Sequence, residues 1–313
     1  MTSRASIKSM PWYGYLTTTR AKAQAQKLSA IYYRAGAELN SEYYTRKGQR
    51  VTMCGDVIAV QDHKIISQWS CGDRMCPLCQ IKSARKIAAN ARIVLDKACA
   101  ESDVRPYLLT LTQKNCSAEE LGTRIDDMLN AWRVIIKNIK GMKKYLAGYA
   151  RTIEVTIGRD GSFHPHIHSI MLFASDVPKE MLRARYWGAM WQDYMKTQAY
   201  QGSVVPICDI RRIRPNVRKG LTSEAAAAAE VSKYVAKSSH ILSQPNNYKN
   251  VLTVEAAIAG RRLRSYGGVW KVIRARLKLE DTNQIEPPTQ YIATVSIDLW
   301  QWAGATKSYK RVL

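Results

Sequence analysis

Two apolar segments separated by a short polar turn most strongly constrain how this chain can fold. Residues 148–157 (GYARTIEVTI) and 166–173 (HIHSIMLF) have the composition of β-strands, and the turn signal Asp160-Gly161 lies between them. This pattern predicts an antiparallel hairpin. Because an isolated hairpin is at best marginally stable in water, the rest of the chain must supply further strands and helices to cover it.

The neighbouring segments supply those elements in an order typical of an α+β fold. Strands are predicted at 107–112 and 204–213, and helices at 117–140, where Ser117 is the expected N-cap, at 178–199 and at 222–238. With the hairpin, the order is β-α-β-β-α-β-α, which predicts a central antiparallel sheet with flanking helices. Upstream, the patterning predicts short strands at 57–60 and 64–69 and an amphipathic helix at 80–98.

The charge balance indicates the kind of partner. The 313 residues contain 48 Lys and Arg against 25 Asp and Glu, a net charge of +23, and 46% are hydrophobic, enough for a sizeable core. A surplus of this size favours a nucleic-acid partner. The alternative, an anionic membrane surface, would normally require a basic amphipathic helix, whereas the basic residues here are spread along the whole chain.

The apolar patterning predicts neither a secretory signal nor a membrane-spanning segment. No stretch approaches the ~20 consecutive apolar residues needed to span a bilayer. The first residues, MTSRASIKSMPWYGYLTTTR, lack the apolar centre of a secretory signal. We therefore expect a soluble, cytoplasmic protein that does not act on membranes.

Four cysteines are concentrated in one short stretch of the chain. Cys54, Cys71, Cys76 and Cys79 supply four thiolates, which is the ligand number of a structural Zn²⁺ site. His63 is an alternative to one of the cysteines. Two other interpretations stay open: CPLC before a helix is typical of a redox motif, and the cysteines can also be ordinary buried residues. We expect a structural zinc that folds this segment and orients the basic helix behind it.

Three histidines, His164, His166 and His168, fall within one five-residue stretch at the start of the second hairpin strand. His166 and His168 are two positions apart, so their side chains point to the same face of an extended strand and can bind one divalent ion. Glu154 interrupts the apolar alternation of the first strand and is the candidate third ligand. A two-residue turn would place Glu154 opposite Ile167, facing the wrong way, so we predict an odd-length loop or a β-bulge.

A predicted helix near residue 230 carries a tyrosine with charged neighbours. Glu230, Tyr234 and Lys237 fall within about 60° of arc and share one helix face. Spacing alone favours an amphipathic helix with a tyrosine packed at its edge.

Together these segments resemble the rolling-circle replication initiators (Rep proteins) of small plasmids, which belong to the histidine–hydrophobic–histidine (HUH) endonuclease superfamily. The resemblance extends over about residues 54–240. It rests on CGDRMCPLC with the basic helix that follows, LTLT (109–112), HPHIHSIMLF (164–173) and EVSKYVAK (230–237). A single tyrosine in the last motif, with Glu230 four residues before it, is similar to the single-tyrosine plasmid branch.

The resemblance implies a fold, a chemistry and a set of partners. The fold would be a ferredoxin-like or RRM-like nuclease core at 101–240, with a basic segment at 1–50, the zinc element and its basic helix at 51–100, and a basic extension at 241–313. The partners would be plasmid origin DNA, single-stranded or in a hairpin at the nick, and a host helicase and polymerase.

The resemblance also assigns roles to individual residues. His166, His168 and Glu154 would hold Mg²⁺ or Mn²⁺, and His164 would lie outside the ligand set. Tyr234 would be the nucleophile that forms a 5′-phosphotyrosine link and frees a 3′-OH primer, and Glu230 would activate a second attack that terminates the round. Contacts to DNA are expected from Lys233, Lys237, Arg85 and Lys86.

Two other functions stay open at this point. The chain can be a zinc-containing regulator that binds DNA without cutting it, or a related HUH enzyme such as a transposase or relaxase. In relaxases the tyrosine usually precedes the histidines, whereas here it follows them. Trp187 and Trp191 are conceivable stacking surfaces for bases, although tryptophans at such positions are more often core residues.

Overall fold

We describe a computed structural model of the chain in residues 15–138, 142–195, 207–215, 218, 222–233, 238–279 and 297–312. These residues form helices and two antiparallel sheets, which confirms the predicted α+β class. By its internal contacts the chain divides into two compact units, and each is built from segments that are not consecutive in sequence. The division into four consecutive segments stays a prediction.

The first unit combines the N-terminal region with later parts of the chain. Its elements are α1 (Tyr15–Glu38), α2 (Glu42–Met53), β1 (Val57–Gln61), β2 (Lys64–Gln68), α8 (Ser238–Ser243), β8 (Asp298–Ala303) and β9 (Ser308–Arg311). The sheet has the order β2-β1-β8-β9. Both predicted short strands are confirmed. The two turn residues that join them, Asp62 and His63, have φ values of 47° and 58°, as a tight hairpin turn requires.

Helices α1 and α2 were not predicted. The buried positions of α1 include Ala21, Ala25, Leu28, Tyr32 and Ala35, which follow helical spacing. Most of these side chains are small, so the apolar signal in the sequence is weak. Close packing against α2 makes these small residues sufficient in the folded chain, because it lets the two backbones approach.

The second unit begins within α3 and contains the larger sheet. Its elements are α3 (Pro77–Glu101, from Ser83), β3 (Val104–Thr112), α4 (Leu121–Asn138), α5 (Met142–Tyr145), β4 (Leu146–Ile157), β5 (Phe163–Ala174), α6 (Ala184–Tyr194), β6 (Cys208–Arg212), α7 (Ser223–Lys233), α9 (Asn247–Ile258), β7 (Arg264–Gly268) and α10 (Val269–Arg276). The sheet has the order β6-β3-β5-β4-β7, and its neighbouring strands are antiparallel.

Helices cover both faces of this sheet. On one face, α3, α7 and α10 enclose a core with Leu108, Ala150, Ile170 and Leu172. On the other face, Trp132 of α4 contacts Tyr149, with ring centroids 5.2 Å apart, and α6 also packs there. The central β-α-β-β-α-β-α order is therefore confirmed, and the hairpin lies in the middle of a three-layer arrangement.

The helix predicted at 117–140 begins later than expected, and Trp187 and Trp191 take the more common of their two expected roles. Helix α4 begins at Leu121, after a turn in which the Ser117 N–H donates to Glu120 Oε2 over 3.1 Å. Trp187 and Trp191 are completely buried, and their indole N–H groups donate to backbone carbonyls 2.8 Å away. They are core residues because no ring face is left for a base to stack on.

Part of the expected basic extension at 241–313 joins the large sheet. The basic stretch at 260–268 contributes β7, which pairs with β4 at the edge of this sheet. Two glycines and a serine in β7 weaken its strand signal, and cross-strand hydrogen bonds to β4 compensate for this.

Candidate metal centres

The β4–β5 hairpin has the register that a metal site requires. Its last pair is Ile157 with Phe163, so the loop at 158–162 has five residues, and Glu154 lies directly opposite His166. The loop is closed by the Gly158 N–H, which donates to Ser162 O over 2.8 Å. Gly161 has a φ of +81°, a conformation that suits glycine. The predicted odd-length loop is confirmed.

This register brings Glu154, His166 and His168 together on one face. Glu154 Oε2 lies 3.3 Å from His166 Nε2 and 3.5 Å from His168 Nε2. One potential ligand atom from each of the three residues lies within 4.8 Å of the other two. Glu154 is only 1% exposed, so its carboxylate is held inside the sheet and away from bulk water.

Neighbouring groups orient both imidazoles. His166 Nδ1 is 3.1 Å from His164 O, and because a carbonyl only accepts, the neutral ring carries its proton on Nδ1. Nε2 then presents a lone pair to the Glu154 carboxylate. Two electron-rich atoms facing each other in this way fit a cation between them, so the donor set is suited to a metal ion.

The hydroxyl of Thr110 is a site residue that the sequence reading missed. Thr110 lies opposite His168 in the β3–β5 ladder, and its Oγ1 is 3.1 Å from His168 Nδ1. This contact orients the second imidazole in the same way that His164 O orients the first. The strand pairing sets both threonines of LTLT opposite histidines, Thr110 opposite His168 and Thr112 opposite His166, and the Thr112 hydroxyl donates to Ile207 O over 2.8 Å.

The ring of His164 lies beside that of His166, with centroids 5.3 Å apart, but it contacts a different partner. Its Nδ1 lies 2.8 Å from Asn115 Oδ1, and it is not part of the three-residue group. Burial, together with the neighbouring His166, lowers the pKa of His164.

Helix α7 packs on the sheet face that carries the Glu154–His166–His168 group. Ala227 and Ala228 are buried in the same core as Leu108, Ile170 and Leu172, and the last two are on the same side of β5 as His166 and His168. Small residues at these helix positions allow a close approach to the sheet. The backbone of α7 includes Glu230 and Lys233, whereas Tyr234 and Lys237 lie outside the described residues.

The four clustered cysteines form a second group. Sγ of Cys79 is 3.6 Å from that of Cys54 and 3.5 Å from that of Cys71, and Sγ of Cys76 is 3.7 Å from that of Cys54. All four side chains are buried and their thiols are free. A tetrahedral zinc ion with Zn–S bonds of about 2.3 Å places its sulfurs about 3.8 Å apart, so the cluster has the spacing of a closed zinc site. His63 is in the β1–β2 turn and does not belong to this group.

The remaining predicted residues lie on α3. Arg85 is exposed and Lys86 is half-buried, and their contacts to DNA stay a prediction. The part of the chain that the structure describes contains no helix with the length and apolarity to cross a membrane.

Comparison with known proteins gives a consistent result. A family model described as "Replication protein" matches residues 62–309. A protein named "Protein rep" from Lentilactobacillus hilgardii is 34% identical over 76% of this chain and 77% of its own length. Proteins of the same name from Lactiplantibacillus plantarum (32% identical, 75% of this chain and 76% of that protein) and Bacillus amyloliquefaciens (26%, 97% and 95%) also match. No solved structure matches the chain significantly.

Proposed function

Because the chain belongs to the replication protein family, we propose that it initiates rolling-circle replication of a plasmid by nicking one strand of the origin. Membership of this family confirms the resemblance to plasmid replication initiators that the sequence motifs indicated. The observation that carries the nicking proposal is the Glu154–His166–His168 group, in which Glu154 and His166 are buried, on the sheet face against which α7 packs. Helix α7 leads directly into Tyr234, the proposed nucleophile.

His166, His168 and Glu154 would hold the catalytic ion. A divalent ion bound there would act as a Lewis acid that polarises the scissile phosphate and orients it for in-line attack. Two imidazoles and one carboxylate suit Mn²⁺ better than Mg²⁺, which prefers oxygen ligands and retains its water shell. Thr110 and His164 O keep the two rings in the orientation that binding requires.

Tyr234 would carry out the covalent step. Its phenol, with an ordinary pKa near 10, loses its proton as the oxygen attacks the scissile phosphorus. A phosphorus–oxygen bond to tyrosine forms, the bond to the 3′ oxygen breaks, and that oxygen takes up a proton to become the 3′-OH primer. The phosphodiester energy is kept in the 5′-phosphotyrosine link, so the strand can be rejoined when the round ends.

Glu230 would complete the cycle. Glu230 precedes Tyr234 by four residues in the sequence, and its carboxylate would accept the proton of a water molecule or otherwise assist the second cut, so that no second tyrosine is needed. Lys233 and Lys237 would offset negative charge on the phosphate. A host helicase and polymerase would then act at the free 3′-OH.

The cysteine group would hold a structural Zn²⁺. The four buried sulfurs leave no position open for substrate, which is typical of structural rather than catalytic zinc sites. The zinc would hold together the hairpin β1–β2 and the start of α3, and the net charge of +23 would provide affinity for DNA.

The test is a nicking assay on supercoiled plasmid with and without its origin, in the presence of Mn²⁺ or Mg²⁺. We expect nicked circles with protein attached to the 5′ end only when the origin is present. Tyr234→Phe should abolish both the nick and the adduct and leave origin binding near that of the unchanged protein. Origin binding without nicking by any metal would favour the non-catalytic regulator, and an adduct that persists in Tyr234→Phe would show that another residue is the nucleophile.

A further inference from the structure

A lysine of the N-terminal helix is buried beside the cysteine group. Lys22 of α1 is 1% exposed, and its Nζ donates to Thr52 O over 2.7 Å and to Cys54 O over 2.8 Å. Asp56 Oδ1 lies 3.6 Å away. All three neighbours present oxygen acceptors, which match the three N–H donors of an ammonium group. A buried lysine is rare unless a nearby negative charge requires it.

An arginine makes the corresponding contact on the other side of the group. Arg50 of α2 donates through Nη2 to the backbone carbonyl of Cys71. Lys22 and Arg50 thus each contact the carbonyl of a different cysteine of the cluster. Arg50 is solvent-exposed, whereas Lys22 is buried. The two contacts differ mainly in how much water screens the charge.

The charge of a loaded site explains why cations are placed there. Four thiolates and one Zn²⁺ carry a net charge of −2, and here the sulfurs are buried. A buried dianion is unfavourable unless positive charge lies close to it, because it has lost its hydration. Lys22 and Arg50 together supply two positive charges. The negative charge of Asp56 cancels the positive charge of Lys22 only weakly, since the Asp56 side chain is half-exposed and screened by solvent.

We propose that Lys22 and Arg50 are positioning residues of the zinc site. Each donates to the backbone carbonyl of a ligand cysteine, Cys54 or Cys71, and the two positive charges held there offset the −2 charge of the loaded site and so help to retain the metal. Lys22 precedes both the expected zinc element (51–100) and the segment matched by the family model (62–309). The zinc element as proposed here therefore includes α1. This inference does not depend on the nicking chemistry.

Zinc retention tests the proposal directly. The full-length zinc-loaded protein is mixed with a chromophoric chelator, and the apparent zinc affinity and release rate are measured. Lys22→Met keeps the length and apolar stem of the side chain and removes the charge; we expect it to weaken zinc retention by about 10- to 100-fold. Lys27→Met, at an exposed position of the same helix, is the matched control and should match the unchanged protein.

Substitutions of Arg50 distinguish the effect of its charge from the effect of its hydrogen bond. Arg50→Gln retains an N–H donor but no charge, and Arg50→Lys retains the charge. We expect Arg50→Gln to lose zinc several-fold faster than the unchanged protein, by a smaller factor than Lys22→Met, and Arg50→Lys to restore most of the retention. The absorption spectrum of the Co²⁺-substituted forms should show the same four-thiolate site at saturation in each variant.

Two results would overturn the proposal. One is a Lys22→Met protein that folds normally by circular dichroism and releases zinc at the original rate. The other applies if Lys22→Met does not fold even with excess zinc: the Arg50 series then decides, and equal zinc release from Arg50→Gln and the unchanged protein would reject a role for charge.

Discussion

Glu154 is a carboxylate enclosed by a sheet, with an imidazole nitrogen on each side of one oxygen. Carboxylates and imidazoles are common in proteins. What these three can bind together depends on the distances between their oxygen and nitrogen atoms. His168 is oriented by a hydroxyl and His166 by a carbonyl, so a change of one atom near either ring alters what the pair can bind.

Glu154→Gln should separate metal binding from folding. An ion that binds only the folded state stabilises it by mass action, by about 2.7 kcal/mol at a hundredfold excess over the dissociation constant. We expect Mn²⁺ to raise the Tm of the unchanged protein and to have little effect on Glu154→Gln, whose neutral amide is a poor ligand. The measurement is a thermal unfolding series with increasing Mn²⁺. An equal Tm increase in both proteins would place the ion elsewhere.

Thr110→Val should weaken the same site indirectly. The substitution keeps the β-branched shape and removes the hydroxyl that contacts His168, so the ring loses its orientation. We expect the Mn²⁺ concentration for half-maximal nicking to rise about tenfold or more. Thr110→Ser, which keeps the hydroxyl, should restore most of the affinity. Unchanged metal dependence in Thr110→Val would show that the hydroxyl does not matter.

At the scale of elements, the loop at 158–162 and helix α7 decide how the site is assembled. An odd number of loop residues sets Glu154 opposite His166; one residue fewer would place it on the other face of the sheet. The alanines of α7 allow this helix to approach closely the sheet face that carries Glu154, His166 and His168.

Ala227→Leu should therefore displace α7. Ala227 is completely buried against the sheet, so extra side-chain atoms have no space, and we expect a loss of about 1–3 kcal/mol in the free energy of unfolding. Nicking should fall more than origin binding does. Ala225→Leu, at a half-buried position outside this core, is the control. Urea unfolding and a nicking assay below both unfolding midpoints provide the measurement; unaffected nicking would mean that α7 does not position the nucleophile.

At the scale of the whole molecule, charge and cysteine chemistry can be measured without locating any single contact. With a net charge of +23, binding to DNA releases many counterions. We expect affinity for non-origin DNA to fall on the order of 10³-fold between about 50 and 200 mM salt. Fluorescence anisotropy with labelled oligonucleotides measures this; a flat salt dependence would contradict a mainly electrostatic contribution.

Thiol reactivity should distinguish the two classes of cysteine. Burial raises the pKa of Cys116 to about 11 and that of Cys208 to about 12, and burial with nearby Glu224 raises the pKa of Cys99 to about 11. Since the thiolate is the reactive form, these three should react slowly at pH 8 and faster as the pH rises towards their pKa values.

The four clustered cysteines should react only after metal removal. We expect few fast thiols in the zinc-loaded protein at pH 8, four more after a strong chelator is added, and seven after denaturation. An absorbance assay with a disulfide reagent counts them. A fast-thiol count that the chelator leaves unchanged would show that the cluster does not hold a metal.

Local patterning was enough to predict much of this protein. The central strands, the amphipathic α3, the β-α-β-β-α-β-α order and the odd-length loop follow from side-chain alternation and turn residues, which act over a few positions. The candidate ligands follow from the same kind of signal: His166 and His168 share a strand face, and Glu154 interrupts an apolar run.

The rest depended on contacts between residues far apart in the chain. The small-residue packing of α1 against α2, the pairing of β7 with β4 and of β8 with β1, and the contacts of Thr110 with His168 and of Lys22 with Cys54 leave no periodic trace in the sequence. Their free energy comes from burial and hydrogen bonds that exist only once distant segments have met. Local chemistry therefore selected the strands and the candidate ligand types, and tertiary structure determined which neighbouring groups contact them.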